Sequence, residues 1–438
     1  MKTNDGKIYF GLHPKLDPDE TAAIYLKLKK EGKRPEDVEF AVILSEGNEL
    51  LTIPFKNVEI LDRGCGDLDH HVQERSEKGE TATSLMAQKL GMMGETYYQQ
   101  LIDEIRRSDL QGITQPFTMC YFIKCAQRDS NLDDKQRLAL GFRIIDDTME
   151  FRRRQLKRNN SLTQKILVDF LVEKKGKVIP ENFQRYINNV TNERFKHPFD
   201  LAEIIATEKT INGEEEAVRF TKAILKIVYR DDMMFYRADE AIKKTPYKSW
   251  IRNIFVVANN PEDPTLDVKD YLPKFGTRAR FNAKKEENAA VVIQRDEESR
   301  TQIFFDTDAK NENNGFVIGE DLIQDVVSVV RLEECLIQGR ESMKEDLQQP
   351  GTVNGIPEWH FFCPPQLHEK TGERIIPTKR PGRNILNGSL TAPDVPRSKI
   401  PLPILFQTVC SVVKFQPFNW KRWVEERVKY YQSRKSTT

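Results

Sequence analysis

At 438 residues, with 38% hydrophobic and 31% charged side chains, the chain has the make-up of a globular protein of two or three domains. A net charge of +1 supplies no overall field toward nucleic acid or anionic lipid, so any such contact has to come from local patches. No run of about 18 apolar residues marks a membrane span. The first residues lack a signal-peptide core, and six scattered cysteines without a C-x-x-C pair suit reduced thiols; the expected location is cytoplasmic.

Taken in chain order, KIYFGL reads as a strand, TAAIYLKLKK as a helix, FAVILS and NVEIL as buried strands, and TSLMAQKLGMM as a helix. Strands alternating with helices predict a parallel sheet covered on both faces over residues 1–150. Residues 151–245 read as a charged helical connector. WIRNIFVVA, AAVVIQRD and TQIFFDTD read as strands, residues 320–338 as an amphipathic helix, and EWHFF as a short strand. Residues 364–403 contain eight prolines and read as extended surface chain. The expected fold is α/β: an N-terminal parallel-sheet domain (1–150), the connector (151–245) and a C-terminal α/β domain (246–438), with the active site in the cleft between them.

Acidic groups and imidazoles crowd into three stretches. GLHPKLDPDE, just after the first strand, spaces His13, Asp17 and Asp19 as H-x3-D-x-D. NVEIL runs into Asp62, and the triplet Asp69-His70-His71 follows within LDRGCGDLDHH. ALGFRIIDDTMEF adds Asp146 and Asp147. Loops at the C-terminal ends of parallel strands are where open α/β sheets place ligand-binding groups. Several carboxylates gathered there need cations to neutralise them. Mixed oxygen and nitrogen donors suit Mn²⁺, with Mg²⁺ or Co²⁺ as substitutes, and do not describe a thiolate-rich zinc site. Taken singly, each group has a plainer use: Asp19 as a helix cap, and Asp146-Asp147 on a solvated helix face.

In this order the stretches resemble the DHH phosphoesterase superfamily over residues 7–150. The short step from Asp62 to the D-H-H triplet is most similar to the DHH-like metal-dependent hydrolases linked to RNA exonuclease activity. The resemblance implies two metal ions per chain, one held by His13, Asp17 and Asp62, the other by Asp19, Asp62, His70 and Asp147, with Asp62 bridging. It favours Asp147 over Asp146, makes Asp69 the group that orients His70, and turns His71 toward the substrate phosphate, so that His71 and Asp62 carry catalysis. The implied activity is hydrolysis of phosphodiester bonds in RNA, short oligonucleotides or a nucleotide second messenger. The alternatives are a non-hydrolytic nucleotide or nucleic-acid binding protein on a DHH scaffold, and a pyrophosphatase-like phosphohydrolase. HPKLDPDE is also similar to the H-P-D-D-E of zinc deacetylases, but His197, His360 and His368 form no H-x-x-H to complete such a site.

The second half offers groups for substrate. FGTRARF carries Arg278 and Arg280, and TKRPGRNILNGS carries Lys379, Arg380 and Arg383, all suited to phosphate. FRRRQLKR would either steer a polyanion or solvate a helix. Trp359, His360 and Phe361 would either stack on bases or alternate in a strand. The expected partner is RNA, an oligonucleotide or a nucleotide, and not a membrane; the oligomeric state is left open, a homodimer among the options.

Overall fold

The first strand, β1 (Ile8–Leu12), lies between β2 (Val38–Val42) and β3 (Val58–Ile60) and runs parallel to both, pairing Phe10 with Phe40 on one side and Glu59 on the other. This computed structural model describes residues 8–12, 16–42, 58–61, 67–70, 75, 78–191, 197–252, 254–262, 274–279, 289–296, 300–306, 318–337, 360–361, 366–367, 374–375, 384–387, 397–415 and 418–435. By contacts the protein divides into two units, Met1–Met233 with Gln366–Arg374, and Met234–Pro365 with Ile375–Thr438.

In the first unit, β1 leads into α1 (Pro18–Glu31). Asp17 caps this helix: its Oδ1 accepts the Glu20 N–H at 2.8 Å, Glu20 accepts the Asp17 N–H in return, and Pro18 opens the first turn. Gly32, at φ 64°, ends the helix in the left-handed conformation that glycine adopts freely. α1 is buried from Pro18 through Leu26, because it is packed by α2 (Ala82–Lys89), α3 (Thr96–Asp109), α4 (Met119–Arg128) and α5 (Asp134–Arg153). Gly141 lets α5 come close, since a Cβ there would stand 2.6 Å from Thr21 Cγ2. Further along, the Tyr25 hydroxyl donates to Asp146 at 3.0 Å and Lys29 pairs with Asp146 at 2.6 Å. α1 and α5 therefore run in the same direction.

α6 (Asn160–Glu173), α7 (Glu181–Thr191), α8 (Leu201–Asn212) and α9 (Glu214–Lys244) follow. Their apolar faces join the same buried cluster: Phe170, Phe183, Leu201 and Ile224 share it with Phe10 and Ile24. Where the sequence places boundaries after residues 150 and 245, the contact division falls inside α9, between Met233 and Met234. Among the described residues, the apolar faces of the helices after 150 are completed by the N-terminal elements.

The second unit is built on a mixed sheet. WIRNIFVVA forms two strands, not one: β4 (Lys248–Ile251) and β5 (Ile254–Ala258) pair antiparallel across residues 252–253, where Arg252 takes φ 49°. β6 (Val291–Arg295) lies parallel to β5, β7 (Thr301–Phe305) antiparallel to β6, and β8 (His360–Phe361) and β11 (Asn384–Asn387) complete the order β4-β5-β6-β7-β11-β8. β9 (Gln366–Leu367) and β10 (Arg374–Ile375) form a separate pair within the proline-rich stretch. Alternation sorts the strands' two faces. Ile254, Val256, Val291, Ile293, Ile303 and Phe305 pack against α10 (Glu320–Ile337) and α11 (Leu402–Lys414), while Phe255, Val257 and Val292 meet Ala238 and Ile242 of α9 and the helical turn at 274–279. α12 (Trp420–Lys435) follows. No helix among the described residues is long and apolar enough to cross a membrane.

Candidate metal centre

β1 delivers the chain to the start of α1, and β3 delivers it to Leu61, which bridges Leu68 in parallel just before Asp69 and His70. The C-terminal ends of β1 and β3 thus lead to the α1 N-terminus and to Asp69 and His70. Asp19, fully buried, does not cap its own helix. Its Oδ2 accepts the Ala82 N–H at 2.7 Å and its Oδ1 the Thr83 N–H at 2.8 Å, while the Thr83 hydroxyl donates to the Asp19 carbonyl at 2.9 Å. The anion sits at the positive end of α2, where exposed N–H groups and the helix dipole both favour it.

His70, 4% exposed, stands beside this carboxylate. Its Nδ1 is 3.6 Å from Asp19 Oδ2, and its Nε2 is 3.3 Å from Oδ2 of Asp109, the last residue of α3. Asp19, His70 and Asp109 each offer a ligand atom, all within 4.8 Å of one another, and together could hold a metal ion. The two backbone N–H bonds, one to each oxygen, orient the Asp19 carboxylate. Lys124 of α4 secures the end of α3: its Nζ donates to the Ser108 carbonyl and to Thr114 Oγ1, both at 2.9 Å. Burial pushes the Lys124 ammonium below its usual pKa, against the opposing influence of the Cys120 thiol, Asp109 and Asp17.

Of the residues singled out in the sequence, the structure brings Asp19 and His70 together and adds Asp109. Asp17 spends its carboxylate on the α1 cap. Asp69 is buried next to His70, and its carbonyl accepts from Arg75 Nη1 at 2.9 Å. Asp147 is placed elsewhere. It lies six residues, ~9 Å of helix, beyond Gly141, and so past the level of Thr21 on α1. There its carboxyl shares a hydrogen bond with Glu208, and its carbonyl accepts from Thr207 at 2.8 Å. Burial pushes the Asp147 pKa up to about 10; the Glu208 charge adds to the rise and Arg143 opposes it. Burial would raise Glu208 as well, but hydrogen bonds from Arg143, Asn212 and Asp147 hold it below its usual range. Arg143 grips Glu208 with two bonds, 2.5 and 2.7 Å, and reaches Glu216 at 2.8 Å. Asp146 faces α1 and is taken by Tyr25 and Lys29.

Arg278 pairs with Asp239. The basic run FRRRQLKR is largely neutralised by its neighbours: Arg152 and Arg158 pair with Glu203, and Arg153 and Arg154 with Glu150. His13, Asp62, His71, Arg280, Lys379, Arg380 and Arg383 lie outside the described residues. Asp109 is the residue the sequence reading passed over. A physical signal marks it all the same, since a carboxylate on the last residue of a helix faces the negative end of the dipole and calls for a cation. No protein-family model, curated protein or solved structure matches this chain.

Proposed function

We propose that this chain is a divalent-metal-dependent phosphoesterase of the DHH type, hydrolysing phosphodiester bonds in RNA, short oligonucleotides or a nucleotide second messenger, with two Mn²⁺ ions per chain. The observation that supports it is the convergence of Asp19, His70 and Asp109 at the edge of a parallel sheet. In this reading Asp109 takes the ligand role that the resemblance gave to Asp147, Asp17 caps α1, and His13 and Asp62 complete the set. Asp19 is held in one orientation by two α2 N–H groups. His70 lies between the two carboxylates, its Nδ1 3.6 Å from Asp19 and its Nε2 3.3 Å from Asp109. When bound, divalent ions supply positive charge to the phosphate oxygens and lower the pKa of the attacking water. His71 meets the phosphate, and Lys124 keeps the Asp109 end of α3 in place.

The His70 geometry also favours a second reading. A histidine ring set between two carboxylates is also what a non-hydrolytic nucleotide-binding scaffold would have. Calorimetric titration with Mn²⁺, followed by turnover assays on labelled RNA, dinucleotides, cyclic dinucleotides and pyrophosphate, separates the two. The enzyme reading expects two Mn²⁺ per chain and cleavage of at least one phosphodiester. It also expects His70→Ala to lose metal and His71→Ala to keep metal while turning over slowly. A chain that takes up no Mn²⁺ belongs to the second reading.

A further inference from the structure

The second unit contains a cavity of about 770 Å³, lined by Glu262, Arg295, Asp296, Ser398, Lys399 and the first turn of α11. Arg295, the last residue of β6, is 5% exposed. Its Nε donates to Thr301 Oγ1 at 2.8 Å, its Nη1 to the Ile400 carbonyl at 2.6 Å and its Nη2 to Ser398 Oγ at 3.4 Å. All three acceptors are neutral. A guanidinium has five N–H groups, so two remain. Among the described residues no carboxylate stands within ion-pair distance of Arg295. The nearby acids have other tasks: Glu334 accepts the Lys399 N–H at 3.0 Å, and Asp296 pairs with Arg300 at 3.2 Å. Burial pushes the Arg295 pKa down to about 10, with Glu334, Asp296 and Glu262 opposing the fall, so the charge is only partly compensated.

Beside it, α11 begins at Pro401, which has no side chain able to cap. Leu402 and Ile404, in the first turn, have N–H groups without an acceptor in their own helix, and the positive end of the dipole points the same way. A buried cation held by neutral oxygens, two N–H groups to spare and an uncapped helix start meet at one cavity. An oxyanion would supply the missing charge and accept from all three.

We propose that this cavity binds a small ligand through an oxyanion, a phosphate or carboxylate group, gripped by Arg295, Lys399 and the first turn of α11. The volume falls in the range of small-molecule sites and leaves room for more than the bare ion. The site stands independently of the phosphoesterase reading. Glu262 and Asp296 on the cavity wall limit the charge it accepts, and this gives the test opposite signs.

The full-length protein is titrated calorimetrically in EDTA, at constant ionic strength, with inorganic phosphate, AMP and acetate, and with chloride as the control. At least one of the three oxyanions should bind where chloride does not, and the phosphate and acetate arms identify which group is preferred. Arg295→Lys, which cannot offer a fork, should weaken that binding about tenfold or more. Glu262→Gln, at an exposed position, should tighten it roughly threefold by removing a like charge. Should Arg295→Lys fail to fold, Lys399→Gln and Glu262→Gln still make the comparison, one loosening and the other tightening. Binding of no oxyanion above chloride overturns the proposal, as does a shift of the same sign in Lys399→Gln and Glu262→Gln.

Discussion

Asp147 and Glu208 meet between α5 and α8 under the Arg143 guanidinium, whereas Asp19 and Asp109 meet on either side of the His70 ring. Both groups bury carboxylates in the first unit, and burying an ionised carboxylate without compensation is costly. The Asp147 pair compensates from within. One proton resides on Asp147, and Arg143 forks onto Glu208, stacking at 3.8 Å over Phe220. Around Asp19 the compensation includes two backbone N–H groups and a neighbouring imidazole, while Lys124 is committed to the Ser108 carbonyl and Thr114. A carboxylate group that carries its own arginine has its counter-charge in the fold. The other gathers N–H groups and an imidazole, and is the group that could hold a metal ion.

The largest effect should separate the two groups outright. Asp109→Asn is expected to weaken Mn²⁺ binding about 100-fold, as loss of a ligand or its close support does, while Asp147→Asn leaves it unchanged. Calorimetric titration checks both, and the reverse pattern would restore Asp147 as the ligand.

Next in size is Arg143→Met, which leaves Glu208 buried beside Asp147 without its fork. Loss of one partner from a buried pair costs ~3–5 kcal/mol, and partial exposure of Arg143 trims this to about 2–4 kcal/mol. Urea unfolding should show this loss equally with and without EDTA. If the loss appears only in EDTA, the pair is coupled to the metal after all.

A third effect depends on pH. Asp147 keeps its proton in the fold to about pH 10, whereas its unperturbed pKa is 3.8. Between those values the folded chain holds the extra proton, so the associated stability is fully present below pH 4 and declines as pH rises toward 10. Asp147→Asn carries no titrating proton and should flatten that decline, melting several degrees above the parent at pH 9 and close to it at pH 5. Parallel melting curves across this range would remove the shared proton from the comparison.

Much of the fold could be read directly. β1, α1, the strands β6 and β7, and the helix at 320–337 all follow period rules, although the α1 cap falls to Asp17 and not to Asp19. Two features misled. In WIRNIFVVA the reversal depends on Arg252 at φ 49°, a conformation that side-chain type hardly signals outside Gly, Asn and Asp. In PLPILF the prolines that suggest extended chain instead start α11, where the first turn has no use for their missing N–H. At the site, the residues next to one another in sequence were legible and the distant one was not. D-x-D and D-H-H announce Asp19 and His70 by spacing, but Asp109 joins them only because α3 packs against α1. Asp147 carried the more familiar local pattern, yet the contact of Gly141 with Thr21 sets a helix register that carries it past the site.

The pair of hydrogen bonds from Ala82 and Thr83 to Asp19 closes loops of 63 and 64 residues. His70 is enclosed by the same loop, and Asp109 arrives only after α2 and α3 have folded back onto α1. Long closures such as these are slow to form, and in an unfolded chain the three side chains drift independently. The centre is thus a clasp that fastens only once the surrounding helices are home. A cation caught in it has nothing comparable to hold in the open chain, so it would act as a lock on the finished structure and not as a guide toward it.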